Sequence, residues 1–581
     1  MINKVTQKIP RKELEQILAV ARGDQPADLL IKNVRILDLV NGDITPSAIA
    51  ISGSYIAGIG KEYESQAAVR TIDANNAVAV PGFIDGHLHI ESSMMHPFEF
   101  EKITLPRGTT TAICDPHEIT NVMGAKGFRW FLRCAEKMHQ TLFVQVSSCI
   151  PALPGFETNG GQFDLIDMKE FKNHPHVLGL AEMMNFPGVI HGNKDVLDKL
   201  EEFEDLNLDG HSPLLQGKAL NAYIAAGIQN CHETVTAEEA KEKLSKGMAL
   251  MIREGSVAKN VTGLAPVVTE FNSIQCLLCT DDRNPHEIHT EGHIDHIVRK
   301  MINEVKMPVH VAYRLSSFSA AKHFGLKRMG LIAPGKTADI VLLKDLEKVD
   351  IQQVFSKGHP VEELNLQASV AEKLKDSDPP IENTVKRSPL KVEDFHVPLK
   401  GGSTYNVIGI IKDQIITEHL KLRYPFEQAD VQYIAVIERH GQGLRPSLGL
   451  VHGLGLKQGA IASTVAHDSH NIVVIGSHPE DMCTAANKLI EMGGGLAVVE
   501  NNVVLDSMAL PIAGLLSLEP AHKIEESIVS LRKATQKVGI AIAEPFIQMA
   551  FLALPVIPSL KITDKGLVDV TKFEFVDLEV L

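Results

Sequence analysis

Aromatic side chains and cysteines are both scarce in this chain. Its 581 residues include one tryptophan and seven tyrosines, and aromatic residues make up 5% of the total. The seven cysteines are an odd number spread along a long sequence, unlike the dense, paired cysteines of small secreted domains. The sparse cysteines exclude a disulfide framework, so we expect reduced thiols and a cytoplasmic protein.

The sequence also lacks a long uninterrupted apolar run. Its most apolar late stretch, residues 538–560, contains Glu544, Gln548 and three prolines, whereas a spanning helix needs about 20 consecutive apolar residues. The first ten residues have no apolar core of the kind that signal peptides carry. We therefore expect residues 538–560 to lie in a buried core, and we expect neither export nor a membrane partner.

Positive charge is in deficit. Lysine and arginine number 57 against 72 aspartates and glutamates, which gives a formal net charge of −15. A broad basic surface for a nucleic-acid backbone is not expected at this balance, so a small-molecule substrate is favoured. Histidine, by contrast, is abundant, with 25 residues. Because histidine is the commonest metal ligand and a proton carrier near neutral pH, metal-dependent chemistry becomes the hypothesis to follow.

Hydrophobic patterning predicts a mixed α/β protein built from several units. Residues 11–22 resemble an amphipathic helix, and we assign 1–26 to an N-terminal helical segment. Residues 27–80 read as short strands broken by turn signals, typical of an antiparallel β unit, which residues 331–370 rejoin as a composite β-sandwich domain. Residues 371–400 have the charged, proline-containing composition of a linker, and 401–581 form a further α/β domain.

Between residues 81 and 330 the pattern predicts a (β/α)8 barrel. Apolar strands that end in polar residues alternate with helical stretches over about 250 residues. The strands are expected within TTTAICDPH, LFVQVSSCIP, VLGLAEMMN, GIQNCHE, MALMIREGS and CLLCTDDR. Because such barrels carry their chemistry at the carboxyl ends of the strands, the polar residues after each strand are the functional candidates.

Six residues at these strand ends could bind metal. His87 and His89 end the first strand, and residues two apart in a strand point to one side, where two imidazoles can share an ion. A histidine pair of this kind is more often an ordinary surface feature, but here it follows a Pro-Gly turn at the start of the barrel. The later strand ends add nitrogen and oxygen donors that suit divalent cations: Glu182, His211, His232 and Asp281.

Several motifs resemble a known family. PGFIDGHLHIESS, the strand-end histidines and CTDDR resemble the amidohydrolase superfamily. HIESSMM, TTTAICDPHEITNV, CTDDRNP, VAHDSHNIVVIG and ALPIAGLLS are similar to its bacterial adenine deaminase family, over nearly the whole chain. The resemblance implies a metal-dependent barrel and an enzyme of purine salvage that hydrolyses adenine to hypoxanthine and ammonia. It also implies a homodimer.

The same resemblance implies roles for the six residues. His87 and His89 would hold the more buried of two divalent ions, and His211 and His232 the more exposed one. Glu182 stands where many relatives bridge the ions with a carbamylated lysine, and would bridge them as a carboxylate. Asp281 would be both a ligand and the proton shuttle. Mn(II) is the favoured metal, Fe(II) the alternative, and Zn(II) is less favoured.

The expected mechanism has a metal-bridged hydroxide that attacks C6 of the purine while an acid protonates N1. Candidates for that acid or for substrate contact are found just past the first two strands, where capping and supporting roles are equally expected. They are Glu91, Ser93 with its neighbour Ser92, Asp115, His117 and Glu118. We leave the choice among these residues open at this point.

The C-terminal motif His467-Asp468-Ser-His470 is open to two interpretations. It could bind metal or reach over the barrel mouth, and we favour a lid or interface role. Cys276 and Cys279 have the C-x-x-C spacing of metal sites but are expected to be buried thiols of a strand. Two other functions remain: an amidohydrolase for guanine, cytosine or a dihydropyrimidine, and a non-catalytic scaffold, which the six chemically competent ligand residues disfavour.

Overall fold

The computed structural model describes residues 8–412, 414–427 and 430–580. The first seven residues, which entered the argument against a signal peptide, lie outside this part of the chain. The helix expected near the N-terminus is present as Arg11–Ala21 and buries Ile17 and Val20 against the first β unit.

A barrel of eight parallel strands occupies the middle of the chain, which confirms the predicted fold class. Hydrogen bonds pair the first three strands, the next two and the last three, and an isolated parallel bridge joins Leu88 to Asp281 and closes the ring. The first two strands are buried on both faces, as in other barrels covered by helices. The strands are Phe83–Leu88, Thr109–Cys114, Thr141–Val144, Gly179–Met183, Asn207–Gly210, Asn230–Cys231, Ala249–Arg253 and Cys276–Cys279.

Helices follow the strands and cover the outside of the barrel. Their inner faces are apolar; the helix Ala125–Lys137, for example, buries Phe128, Trp130 and Phe131. The main helices of the barrel are Pro97–Thr104, His117–Met123, Ala125–Lys137, Leu165–Phe171, Phe186–Ile190, Lys194–Phe203, Gly217–Ala225, Ala237–Ser245, Val261–Leu264, Pro285–Thr290, Ile294–Asn303, Val309–Arg314 and Ala320–His323. This arrangement leaves the carboxyl ends of the strands, with the loops that follow them, at one mouth of the barrel.

One sheet unites residues before and after the barrel. Val78–Pro81 pairs antiparallel with Ile340–Asp345, so two segments far apart in sequence form a single unit. The expectation of a purely antiparallel unit is wrong, because Ala27–Leu37 pairs in parallel with two strands of the same unit. Alternation of apolar residues reports which face is buried but not the direction of the neighbouring strand. The remaining strands are Ile44–Ser52, Tyr55–Gly60, Ala68–Asp73, Asp350–Ser356 and His359–Pro360.

The segment expected as a linker begins inside a helix. Leu366–Asp376 is helical and crosses the boundary set at residue 371. The indole nitrogen of Trp130 donates a hydrogen bond to Ser377 Oγ at 3.0 Å, so the start of this segment packs on the barrel. Its charged composition suggested a free connection, but the segment also buries Val385, Leu390 and Phe395 in an apolar cluster.

The C-terminal part is an eight-stranded sheet with helices and a small three-stranded sheet. In spatial order, the large sheet contains Thr417–Arg423, Thr404–Ile410, Ser447–His452, Val431–Ile437, Ile472–Gly476, Ala460–Ser463, Gly495–Glu500 and Val503–Ala509. The small sheet contains Leu560–Thr563, Gly566–Asp569 and Glu574–Val576, and the helices are Pro479–Met492, Ala521–Lys537 and Pro545–Ala550.

Residues 538–560 are largely buried, as expected, and include the short helix Pro545–Ala550. Within the described ranges no helix has both the length and the apolar character needed to cross a bilayer. Residues of the C-terminal part also join one continuous apolar cluster with barrel residues such as Ile90 and Met95, so the two parts share a core. This shared core brings the C-terminal part over the mouth of the barrel.

Candidate functional site

Two histidine pairs meet at the mouth of the barrel. His87 lies at the end of the strand Phe83–Leu88 and His89 directly after it, and their Nε2 atoms are 3.2 Å apart. His211 and His232 follow two later strands, and the His232 ring stacks on the His87 ring with centroids 4.0 Å apart. The fold therefore gathers four imidazoles from three strand ends, at four positions that the sequence analysis proposed.

Glu182 lies between the two pairs. Its Oε1 is 3.3 Å from His89 Nε2 and 3.7 Å from His87 Nε2. Its Oε2 is 2.6 Å from His211 Nδ1 and 3.2 Å from His232 Nε2. Each carboxylate oxygen thus faces a different imidazole pair, which is the geometry of a carboxylate that bridges two cations.

Asp281 completes the first pair from the last strand of the barrel. Its Oδ1 is 3.1 Å from His89 Nε2 and 3.6 Å from His87 Nε2. Its other oxygen, Oδ2, accepts a hydrogen bond from Arg253 Nη1 at 2.7 Å, and Arg253 is also paired with Glu233. The guanidinium therefore fixes the Asp281 carboxylate with one oxygen turned toward the imidazoles.

The spacing of these atoms fits a metal ion better than a hydrogen-bond network. Bonds of about 2.1 Å in a tetrahedral site place neighbouring ligand atoms about 3.4 Å apart. The atoms of His87, His89, Glu182 and Asp281 are separated by 3.1–3.7 Å. Imidazole nitrogens and carboxylate oxygens are also the donors that divalent cations use. The site is therefore a divalent-metal site.

Backbone contacts orient one of the imidazoles for this role. His89 Nδ1 donates to the carbonyl oxygen of Asp115 at 2.9 Å, which leaves the Nε2 lone pair free to face the other ligands. On the second pair, His211 Nε2 and His232 Nδ1 are buried and have no hydrogen-bond partner among the described residues.

The carboxylates and imidazoles of the site shift one another's pKa values. Burial raises the pKa of Glu182 and Asp281, but the surrounding imidazoles, and Arg253 for Asp281, hold both pKa values well below their usual range. Burial lowers the pKa of His232, but the Glu182 and Asp281 carboxylates raise it to about 9. Burial keeps the pKa of His87 well below its usual range, so this imidazole is neutral, as a metal ligand must be.

The expected substrate residues divide into two groups. His117 and Glu118 line the cavity in front of the imidazoles. Glu91 and Asp115 are buried behind it: Glu91 Oε1 accepts from the Ile119 backbone nitrogen, and Asp115 Oδ1 accepts from Ser147 Oγ. Ser93 Oγ donates to the Ile90 carbonyl at 2.5 Å. A local contact of this kind at the turn is the structural role that we expected as the alternative to substrate binding.

The C-terminal motif reaches the same cavity. His467 and Asp468 line it, and His470 is fully buried beside them. Both His467 Nδ1 and His470 Nε2 contact the carboxylate of Glu118, which lies more than 300 residues earlier in the chain. The motif is therefore part of the cavity wall, in close contact with residues of the barrel mouth.

The cavity has a polar floor and an apolar roof. Phe551 stacks on His467 with ring centroids 4.6 Å apart, and the buried Lys561 donates to the Phe551 carbonyl at 2.9 Å. The lining residues are His89, His117, Glu118, Glu182, Met184, His211, His232, Glu233, Asp281, Asp282, His467, Asp468, Phe551, Leu554 and Ile557.

Sequence reasoning did not assign several of these residues. Arg253 ends a strand that was correctly located. As a charged residue directly after the apolar run MALMI, it could have been identified as a strand-end candidate. Asp282 directly follows Asp281 in CTDDR and lies within hydrogen-bonding distance of Ser92. The residues around Phe551 that form the apolar roof are distinguished in the sequence only by their hydrophobicity, which does not predict that they line a cavity.

Two family models match this chain. Residues 78–361 match the Amidohydrolase family, and residues 414–574 match the Adenine deaminase C-terminal domain. A curated adenine deaminase of Bdellovibrio bacteriovorus is 62% identical over 100% of this chain and 99% of its own length. One of Edwardsiella ictaluri is 56% identical over 100% of this chain and 98% of its own length.

Among solved structures, the zinc complex of the atrazine chlorohydrolase TrzN from Arthrobacter aurescens is 15% identical. It covers 60% of this chain and 100% of its own chain, with a TM-score of 0.45. The full-length identity to curated relatives confirms the family suggested by the motifs. The chain is a hydrolase that belongs to the adenine deaminase family of amidohydrolases.

Proposed function

We propose that this enzyme hydrolyses adenine to hypoxanthine and ammonia; its curated relatives are named adenine deaminase. The observation that carries the proposal is the Glu182 carboxylate between two imidazole pairs, which lines the cavity at the barrel mouth. The reaction class suits a site that activates water.

We assign two divalent ions to the site. His87, His89 and Asp281 would hold one ion, His211 and His232 the other, and Glu182 would bridge them. Mn(II) is the proposed metal and Fe(II) the alternative. When bound, the ions would lower the pKa of water from about 16 to about 7 and so supply a nucleophile at neutral pH.

Asp281 is the proposed proton carrier. Its Oδ1 faces the imidazoles of the first strand, and its Oδ2 is held by Arg253 at 2.7 Å. An ionised carboxylate fixed in this way can take the proton of the attacking water and deliver it to the departing ammonia. Because the Asp281 pKa is held low, this carboxylate is ionised at neutral pH.

The ring nitrogen N1 also needs a proton as C6 becomes tetrahedral. Besides Glu182 and Asp281, the carboxyl groups on the cavity wall are Glu118, Glu233, Asp282 and Asp468. Glu233 is paired with Arg253, and Glu118 with His467 and His470, so we propose that the N1 donor is Asp282 or Asp468. The donor is expected to be the residue whose amide variant loses kcat on adenine while it still binds hypoxanthine.

A product assay tests the proposed function. Purified protein loaded with manganese should release ammonia from adenine with stoichiometric formation of hypoxanthine. Guanine, cytosine and dihydrouracil serve as competing substrates under the same conditions. Ammonia release from one of these, with none from adenine, would contradict the proposal and favour another amidohydrolase activity.

The oligomeric state and the cellular location of the protein stay predictions. We propose a homodimer in the cytoplasm that binds neither nucleic acid nor membrane. Light scattering on the purified protein and fractionation of cells test the first two statements.

A further inference from the structure

A fully buried ion pair on one barrel helix contacts the two loops that carry His211 and His232. Glu239 and Lys243 belong to the helix Ala237–Ser245 and, four residues apart, share one face of it. Lys243 Nζ is 2.6 Å from Glu239 Oε1, and neither side chain has any exposed surface. Since a buried ion pair often adds no net stability, its contacts with the rest of the chain are the informative feature.

The Glu239 carboxylate binds one backbone amide from each loop. Its Oε1 accepts from the Leu214 backbone nitrogen at 2.9 Å, three residues after His211. Its Oε2 accepts from the Val235 backbone nitrogen at 3.0 Å, three residues after His232. Hydrogen bonds to an ionised group are stronger than those between neutral groups. The two oxygens of one carboxylate therefore join the two histidine loops at equivalent points.

The Lys243 ammonium group also contacts both loops. Its Nζ donates to the Ser212 carbonyl oxygen at 2.8 Å, in the loop of His211. It also lies 3.2 Å from Thr234 Oγ1 and from Cys231 Sγ, which flank the other histidine. Burial lowers the pKa of Lys243, but Cys231 and the paired glutamate raise it above its usual value, so the group is charged.

The backbone of these loops matters because little else orients the two imidazoles. His211 Nδ1 and His232 Nε2 face the Glu182 carboxylate. Their outer nitrogens have no hydrogen-bond partner in the ranges that the structure describes, whereas the outer nitrogen of His89 is held by a backbone carbonyl. The placement of the second imidazole pair therefore depends on the loops from which the rings project.

We propose that Glu239 and Lys243 are positioning residues, which set the separation of His211 and His232 and so tune the affinity of the ion that these imidazoles hold. The inference rests on the two-ion centre of the proposed function. Neither charged side chain lines the cavity, so both act through the loop backbone. Groups that support metal ligands from behind typically change metal affinity about 10- to 100-fold when they are replaced.

Two variants and a matched control test the proposal. Lys243→Met removes the ammonium group and its contacts with both loops. Glu239→Gln/Lys243→Met removes both charges, so that no unpaired charge stays buried. Lys246→Met is the control, because it makes the same substitution just after the same helix. It also breaks an ion pair of 2.6 Å, with Glu242, but the charges of that pair are partly exposed.

The measurement is a metal titration of each full-length, chelator-treated protein. Mn2+ is added, and free metal is followed by electron paramagnetic resonance to give two dissociation constants. His211→Asn, which removes a ligand of the second pair, identifies the constant of that ion. This constant should rise about 10- to 100-fold in Lys243→Met and in the double variant, and stay unchanged in Lys246→Met. The constant of the other ion should stay unchanged in all three.

Melting temperatures without metal separate positioning from stability. Lys243→Met should melt below the double variant, because it leaves the Glu239 carboxylate buried without its partner. Both should nevertheless show the same loss of affinity for the second ion. Unchanged dissociation constants in both variants, or equal weakening of both ions, would overturn the proposal. Fewer than two equivalents of Mn2+ in the unaltered protein would instead contradict the two-ion centre, so the two failures are distinguishable.

Discussion

Replacement of Glu182 by glutamine tests the bridging role most sharply. A glutamine side chain keeps the shape of glutamate, but it has one carbonyl oxygen and an amide nitrogen without a lone pair to donate. It can therefore donate a ligand atom to the ion of one imidazole pair, but not to both ions. The first pair would keep Asp281 as a further ligand, whereas His211 and His232 would have no other side-chain ligand. We expect the ion beside His211 and His232 to be lost first.

The size of the effect follows from the number of ligands. Structural zinc sites with four ligands bind with about 10–16 kcal/mol, or about 3–4 kcal/mol per ligand. Loss of one ligand should then weaken binding about 100- to 1,000-fold. The remaining ion also loses the negative charge of the bridge, and turnover should fall with the loss of the second ion.

The assay is a metal titration of chelator-treated protein, followed by mass spectrometry of the bound metal. Glu182→Gln should hold one equivalent fewer than the unaltered protein at metal concentrations that saturate the latter. Glu157→Gln is the control, because Glu157 is a buried glutamate whose Oε1 accepts from the Leu153 backbone nitrogen. Unchanged stoichiometry and affinity in Glu182→Gln would refute the bridge.

Three further predictions concern the cavity. Asp281→Asn should lower kcat at least about 1,000-fold while the circular dichroism spectrum stays unchanged, because the base is lost; kcat near the unaltered value would exclude the proton role. Arg253→Met leaves Glu233 and Asp281 unpaired, so denaturant unfolding should show a loss of about 3–5 kcal/mol. In the same variant the pKa of Asp281, which burial raises and Arg253 lowers, should rise and move the acid limb of the kcat profile to higher pH; an unmoved limb would contradict this. Phe551→Ala should raise KM for adenine about tenfold or more with kcat little changed, because an apolar wall is removed; an unchanged KM would show that the ring does not contact the substrate.

Much of the barrel was predictable because its signals are local. Apolar strands followed by polar residues mark the strand ends, and parallel strands bring those ends to one mouth. His87, His89 and Asp281 could therefore be assigned from the sequence to the ends of the first and last strands of the barrel. The direction of the strand pairing around Ala27–Leu37 was not predictable, because alternation is the same in parallel and antiparallel sheets.

The contacts between the barrel and the C-terminal part could not be predicted from the sequence. His470 and Glu118 are 352 residues apart, and no periodicity links them. The motif around His467 was noticed for its chemistry, but its partner could be identified only from the fold. Phe551 is a similar example, since an apolar residue in an apolar stretch does not show whether it packs in a core or over a cavity.

The proposed mechanism requires a pair of cations bridged by Glu182 at the barrel mouth. A crystal structure of the manganese-loaded enzyme, with anomalous scattering recorded at the manganese edge, measures it directly. We expect two peaks about 3.5–4 Å apart, one beside His87 and His89 and one beside His211 and His232, with Glu182 between them. A single peak, or two peaks that Glu182 does not join, would contradict it.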